Sequence, residues 1–276
     1  MEYRAAFIDI DGTLLDSKGN VSHAARESIL RLKRKGMHVV INTGRILKEA
    51  VNILRFAGIK TPIIAANGAY VMDCSMQKVI FKDTLDEYVL KWMLEKSKIY
   101  DVSIGFSGLQ KFYCDESFFE LSRNLNFTWQ MKEKQGMIDE PVGVQTDEEW
   151  NAIFSRNEIM KCNFFGYEFE PLQKIREDVL ELDRLAVASV NRHSIEFNNK
   201  AVSKGNAMLK YLEYHGIEIE KSFAIGDGDN DISMIEMAGF GVAMGNAEDE
   251  LKEKADYITE TNDRDGLAMA IDKFLC

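Results

Sequence analysis

The sequence predicts an α/β protein whose core is a doubly wound, mostly parallel sheet, interrupted by a smaller inserted α+β unit. Three observations carry this. Towards both ends of the chain, short uninterrupted apolar runs alternate with stretches of helical periodicity, the pattern of strands covered by helices on both faces. Those runs end in polar turns containing glycine, the first being Asp9-Ile10-Asp11-Gly12-Thr13. Between about residues 83 and 194 the rhythm changes to alternating strands joined by hairpin turns.

Ala5 to Ile10 has strand length, and Gly12 permits a sharp break after it. Ser22 caps a helix with apolar Ala25, Ile29 and Leu32 at helical spacing, and Gly36 stops it. Met37 to Asn42 is a second strand; Thr43-Gly44-Arg45 leads into a helix from about Ile46 to Phe56. A third strand, Pro62 to Ala66, ends in Asn67-Gly68-Ala69, and Tyr70 to Asp73 pairs with Lys78 to Lys82 as a hairpin. This section, 1–82, and a later one, 195–276, are expected to form the core, with 83–194 as the insertion.

Within the insertion, helices are expected over Leu85 to Ile99, Glu116 to Leu125, Asp147 to Arg156 and Pro171 to Leu182. Strands are expected over Val102 to Phe106, Lys111 to Cys114, Met160 to Gly166, Leu185 to Val190 and His193 to Phe197, with a weak one near Phe127 to Met131. Hairpins predict an antiparallel sheet there. The aromatic residues of this unit, among them Phe118, Phe119, Phe127, Trp129, Phe164, Phe165 and Tyr167, are read as its core. The first rhythm then resumes: a helix over Ser203 to Tyr214 stopped by Gly216, the strand Ser222 to Ile225 with Gly226-Asp227-Gly228-Asp229-Asn230-Asp231, a helix holding Met234, Ile235 and Met237, the strand Gly241 to Met244, a helix from Glu248, Tyr257 to Thr259, and a last helix over Asp265 to Phe274.

Composition excludes several classes of function. The 276 residues are 46% hydrophobic, enough for real cores. A net charge of -11 repels nucleic-acid backbones and anionic membrane surfaces, so neither is an expected partner. Met1-Glu2-Tyr3-Arg4 runs straight into the first strand, which leaves no room for a leader peptide. Cys74, Cys114, Cys162 and Cys276 are scattered, which fits reduced thiols in a cytoplasmic protein. The basic cluster Arg31, Lys33, Arg34, Lys35 is read as complementing a helix dipole, not as a nucleic-acid patch. The order of Gly239-Phe240-Gly241 and Gly245 excludes a dinucleotide fingerprint, since these glycines precede and bracket a strand. Arg192-His193 falls in a hairpin turn and is ordinary surface.

The chemistry concentrates at one sheet edge. Ligands of open parallel sheets bind at the carboxyl ends of the strands, and Asp9, Asp11, Thr43, Asp227 and Asp231 all come after strands there, with Lys204 starting a helix at the same edge. Residues two apart on a strand point the same way, so Asp9 and Asp11 can converge on one spot if Asp11 falls just past the break. Two like charges about 4 Å apart repel by roughly 4 kcal/mol near a surface, and one lysine cannot balance four carboxylates. Oxygen donors with few histidines point to magnesium. A cation, an ammonium, a hydroxyl and loop amides together make a site for a phosphoryl group. Asp9 is free to act as nucleophile and Asp11 to move the proton of the leaving oxygen and of the attacking water.

Asp9-Ile10-Asp11-Gly12-Thr13, Asn42-Thr43-Gly44-Arg45, Ser203-Lys204-Gly205 and Gly226-Asp227-Gly228-Asp229-Asn230-Asp231 resemble the four ordered motifs of the haloacid dehalogenase (HAD) superfamily. The insertion lies between the second and third motifs; with Ala66-Asn67-Gly68-Ala69 and Met244-Gly245-Asn246-Ala247 this is similar to the Cof-type branch, mostly phosphatases of small phosphorylated metabolites. The resemblance implies a Rossmann-like core with a cap that selects substrate. It implies Asp9 as nucleophile and magnesium ligand, and Asp11 as general acid and base giving its backbone carbonyl to the metal. Thr43 and Lys204 would hold the phosphoryl group, Asp227 would ligate the metal, and Asp231 and Asn230 would support metal and loop. Gly44, Arg45, Asn67 and Asn230 are the expected substrate contacts. Two rival readings also phosphorylate an aspartate at a strand end: a phosphotransferase or mutase using the same aspartyl-phosphate, and a receiver-like signalling or binding module. Neither the substrate nor the oligomeric state is legible here.

Overall fold

The computed structural model describes residues 3–73, 78–125 and 140–276. In chain order, the first part of the core contains strands β1 (Ala5–Ile8), β2 (His38–Asn42), β3 (Ile63–Ala65), β4 (Tyr70–Met72) and β5 (Val79–Lys82), with helices α1 (His23–Arg34) and α2 (Leu47–Phe56). The insertion contains α3 (Glu87–Tyr100), β6 (Ser103–Ser107), β7 (Phe112–Asp115), α4 (Ser117–Asn124), β8 (Val142–Val144), α5 (Asp147–Phe154), β9 (Lys161–Phe165), α6 (Phe169–Leu182), β10 (Leu185–Asn191) and β11 (Ser194–Asn199). The chain returns through α7 (Lys204–His215), β12 (Ser222–Gly226), α8 (Ile232–Met237), β13 (Phe240–Ala243), α9 (Asp249–Lys254), β14 (Tyr257–Ile258) and α10 (Gly266–Phe274).

The core sheet has the order β14-β13-β12-β1-β2-β3-β4-β5. From β14 to β3 every pairing is parallel, and the hairpin β4–β5 adds two antiparallel strands at one edge. β1 and β12 are buried at every position, because a strand at the centre of a parallel sheet has no solvated face. Sequence and structure agree on α1: the Ser22 side chain accepts a hydrogen bond from Ala25 N, and Ala25, Ile29 and Leu32 face inward. Its basic last turn is used internally, with Arg31 paired to Asp272 and Lys33 bonded to the Lys60 carbonyl.

The inserted sheet has the order β10-β11-β9-β6-β7-β8. It is antiparallel except for β7–β8, which is parallel. Its apolar face, including Ile104, Phe106, Cys162, Phe164, Ile195 and Phe197, packs into one core with residues of α3, α5 and α6. Phe118 and Phe164 are buried as expected, whereas Tyr167 is 47% exposed. β8 was not legible in Pro141 to Val144, and the strand expected near Phe127 to Met131, like Cys74, lies outside the described residues. The chain divides by compactness into 1–45, 53–82 and 203–276 in one unit, and 46–52 and 83–202 in the other. The expected boundary at 195 is therefore corrected: residues 195–199 belong to β11, which is hydrogen-bonded between β9 and β10.

Candidate active site

The parallel register brings the ends of β1, β2 and β12 level, with Ile8 beside both Ile41 and Ile225. Asp9 extends β1 by one residue, its N–H donating to the Ile225 carbonyl at 3.1 Å, and its side chain is buried. The chain then turns at Gly12, where φ is +77°. A Cβ at Gly12 would lie 2.0 Å from Asp227 Oδ2, so only glycine lets the Asp227 carboxylate approach this loop. Thr13 Oγ1 donates to Asp227 Oδ1 at 2.8 Å.

Lys204, at the first position of α7, is 1% exposed. Its Nζ donates to Asp9 Oδ1 at 2.7 Å and to Asp231 Oδ1 at 2.5 Å. The other Asp231 oxygen accepts the backbone N–H groups of Asp227 and Gly228, both at 3.0 Å. One carboxylate oxygen from each of Asp9, Asp227 and Asp231 lies within 4.8 Å of the others. Burial pushes the Asp9 carboxyl well above the usual range; Lys204 opposes this, and Asp231, Asp227 and Asp11 add to it. Burial, then Asp231, pushes Asp227 up to about 7, against the Thr13 hydrogen bond. Burial disfavours the Lys204 ammonium, but the Asp231 and Asp9 carboxylates outweigh it and hold the cation. The site is short of positive charge, and its all-oxygen donor set fits a hard divalent cation.

The Asp11 carboxylate departs from the expected convergence. It is not one of the three gathered carboxylates; it takes the Arg45 guanidinium in a two-pronged pair, with Nε and Nη2 at 2.6 Å each. Asp11 lies just past the strand with extended backbone angles (φ -81°, ψ 121°), and its carboxylate is taken by the Arg45 guanidinium in place of the shared spot.

The expected substrate-contact residues do come together. Thr43 is buried and its Oγ1 accepts Arg45 N–H at 3.2 Å. A Cβ at Gly44 would lie 2.7 Å from Asn67 Oδ1 and 3.2 Å from Asn230 Nδ2, so Gly44 leaves the space in which Asn230 Nδ2 donates to Asn67 Oδ1 at 3.0 Å. Ala66 and Asn67 are consecutive left-handed residues, with φ +52° and +59°, held by Ala66 N–H to Arg45 O and Asn67 N–H to Thr43 O at 2.8 and 3.1 Å. Such strain persists where the surrounding bonds over-determine it.

Sequence reasoning assigned no role to Thr13, Asn42 or Asn246. Asn42 is fully buried and its Nδ2 donates to the Lys204 carbonyl at 3.0 Å. All three lay inside motifs already singled out at strand ends, which was the available signal.

A family model described as haloacid dehalogenase-like hydrolase matches residues 6–271. The chain belongs to that family. Within it, the match is to the Cof-type branch. The chain is 31% identical over 281 residues to the 5-amino-6-(5-phospho-D-ribitylamino)uracil phosphatase YwtE of Bacillus subtilis, covering 97% of this chain and 96% of that one. It is 26% identical over 276 residues to a phosphoglycolate phosphatase of Methanobrevibacter smithii, covering 100% of both. Among solved structures, a haloacid dehalogenase-like hydrolase from B. subtilis superposes with a TM-score of 0.85 at 27% identity, covering 99% of this chain and 100% of that one. This HAD-family chain is accordingly a phosphatase. No helix among its described residues is long and apolar enough to cross a membrane.

Proposed function

We propose that the chain hydrolyses phosphomonoesters of small metabolites with magnesium, using Asp9 as the nucleophile. The observation that supports this reading most is the gathering of Asp9, Asp227 and Asp231 with the Lys204 ammonium on two of them. The Asp9 and Asp227 carboxylates and the Asp11 backbone carbonyl would hold the cation, supported by Asp231, and the cation would supply positive charge to phosphoryl oxygens.

Asp9 attacks phosphorus as the bond to the leaving oxygen breaks, and Asp11 delivers a proton to that oxygen. Water then attacks phosphorus, Asp11 takes its proton, the bond from phosphorus to the Asp9 oxygen breaks, and inorganic phosphate leaves with Asp9 regenerated. Thr43 and Lys204 hold the phosphoryl oxygens. Asp11 is engaged by the Arg45 guanidinium in this structure. Arg45 holds both Asp11 oxygens, so the incoming phosphate draws Arg45 away before Asp11 reaches the leaving oxygen.

The relatives named for phosphoglycolate and for a phosphorylated ribitylaminouracil define the substrates to try first. The test is phosphate release from these two and from p-nitrophenyl phosphate, with magnesium and with chelator. Release is expected only with magnesium, and Asp9→Asn is expected to remove it. Normal turnover by pure Asp9→Asn protein overturns the mechanism.

A further inference from the structure

The turn after β13 carries a residue that the chemistry above leaves without a role. Asn246 Nδ2 donates to the Gly12 carbonyl at 2.9 Å and lies 3.4 Å from Asp227 Oδ2. Its Oδ1 accepts Asn262 N–H at 2.9 Å, and Asn262 Nδ2 donates to the Leu15 carbonyl at 2.8 Å. One side chain thus ties the loop after β1, the carboxylate after β12 and the segment after β14. Two further bonds belong to the same brace: Gly245 N–H to Glu260 O at 3.1 Å, and Glu248 N–H to Asp227 O at 3.3 Å.

We propose that Asn246 is a positioning residue for the Asp227 carboxylate, and that through Asp227 it sets the affinity of the site for its divalent cation. The inference rests on the reading of Asp9 and Asp227 as the groups that hold that cation. The Asp227 carboxylate is gripped on two sides. Thr13 binds Oδ1, while Oδ2 faces the Gly12 backbone, whose carbonyl is held by Asn246. Asp231 repels Asp227, and Asp9 and Asp227 repel each other, so without the brace the carboxylate relaxes away from Asp9 and a cation must first draw the two together. Partners behind a metal ligand commonly change affinity by 10–100-fold when removed. Asn246 is exposed, in the turn after β13, so its truncation removes the brace without opening a cavity in the core.

The experiment compares wild type with Asn246→Ala, and with Asn262→Ala as a second, more remote cut in the same brace. Two readouts are titrated with magnesium: the rise in Tm of the substrate-free protein, and p-nitrophenyl phosphate turnover. Asn246→Ala is expected to raise the magnesium midpoint of both about 10-fold, and Asn262→Ala to raise it by a smaller factor, with kcat at saturating magnesium within about twofold of wild type. A purely structural role lowers the metal-free Tm and leaves the midpoints in place; that result, or lost kcat at an unchanged midpoint, overturns the inference. A wild type whose Tm and turnover ignore magnesium overturns the cation reading together with this inference, whereas a responsive wild type matched by both variants overturns this inference alone.

Discussion

The most informative single residue is Lys204. It is a fully buried ammonium shared between two carboxylates, a geometry in which removing the cation leaves two uncompensated buried acids. Lys204→Met keeps much of the apolar stem and is expected to abolish turnover and to cost about 3–5 kcal/mol of stability, read as a lower urea midpoint. Asp227 gives a prediction with a definite sign. Its carboxyl is raised to about 7, so the folded chain holds that proton more tightly than the unfolded chain. Stability of the metal-free protein therefore falls as pH rises from the ordinary carboxylate range to about 7, and the penalty is complete above it. A cation that replaces the proton relieves that penalty, so magnesium is expected to raise Tm more at pH 8 than at pH 5. Equal shifts at the two pH values, measured by thermal denaturation, would count against metal binding at Asp227. Asp9, Thr43, Asp227 and Asp231 were legible because each stands where an apolar run meets a glycine-containing turn, and Lys204 because it opens a helix. The Asp11–Arg45 pair was not, since a side chain beyond the end of a strand is aimed by its tertiary neighbour.

At the scale of elements, caps and stops were the most legible features. Ser22 and Ser203 each accept a hydrogen bond from a backbone N–H three residues on, and Gly36 and Gly216 take positive φ after their helices. Gly216 isolates the conformational contribution, because a Cβ there would meet nothing within 4 Å and φ is +62°. Gly216→Ala is expected to cost about 1–2 kcal/mol through left-handed strain alone, seen in the denaturation midpoint, while kcat/KM is unchanged. The elements that sequence reading missed or mislabelled lie in the insertion. β8 is three residues long and pairs parallel to β7, and neither its length nor its partner leaves a local signature. β11 is split by the expected boundary at 195, although its hairpin with β10 is legible in Asn191-Arg192. A hairpin binds both of its strands to one sheet, so the boundary had to fall after it.

At the scale of the whole molecule, one chain builds two compact units with separate hydrophobic cores. We propose that the inserted unit chooses among phosphomonoesters while the core performs the hydrolysis. Exchanging the β6–β7 and β10–β11 turns for those of a relative of different substrate is expected to reorder kcat/KM across a metabolite panel and to leave p-nitrophenyl phosphate turnover within a few-fold. An unchanged order would remove the selecting role. The net charge of -11 disfavours polyanionic partners by its overall field, while Arg45 and Lys204 are held in local ion pairs with Asp11 and Asp9.

By itself the sequence determined the α/β class, the alternation of strands and helices, the interruption of the core, and the edge at which the acids gather. Those properties are written in periodicity, in caps and in the residues just past each strand, all of which are local. Only the tertiary structure decided that Asp231 and Asp9 share one ammonium, that Asp11 turns to Arg45, that Asn67 and Asn230 meet over Gly44, and that Asn246 braces Asp227. Each of these joins residues from separate strand ends, and their distances come from parallel register and from backbone approach, quantities set by packing and not by spacing along the chain.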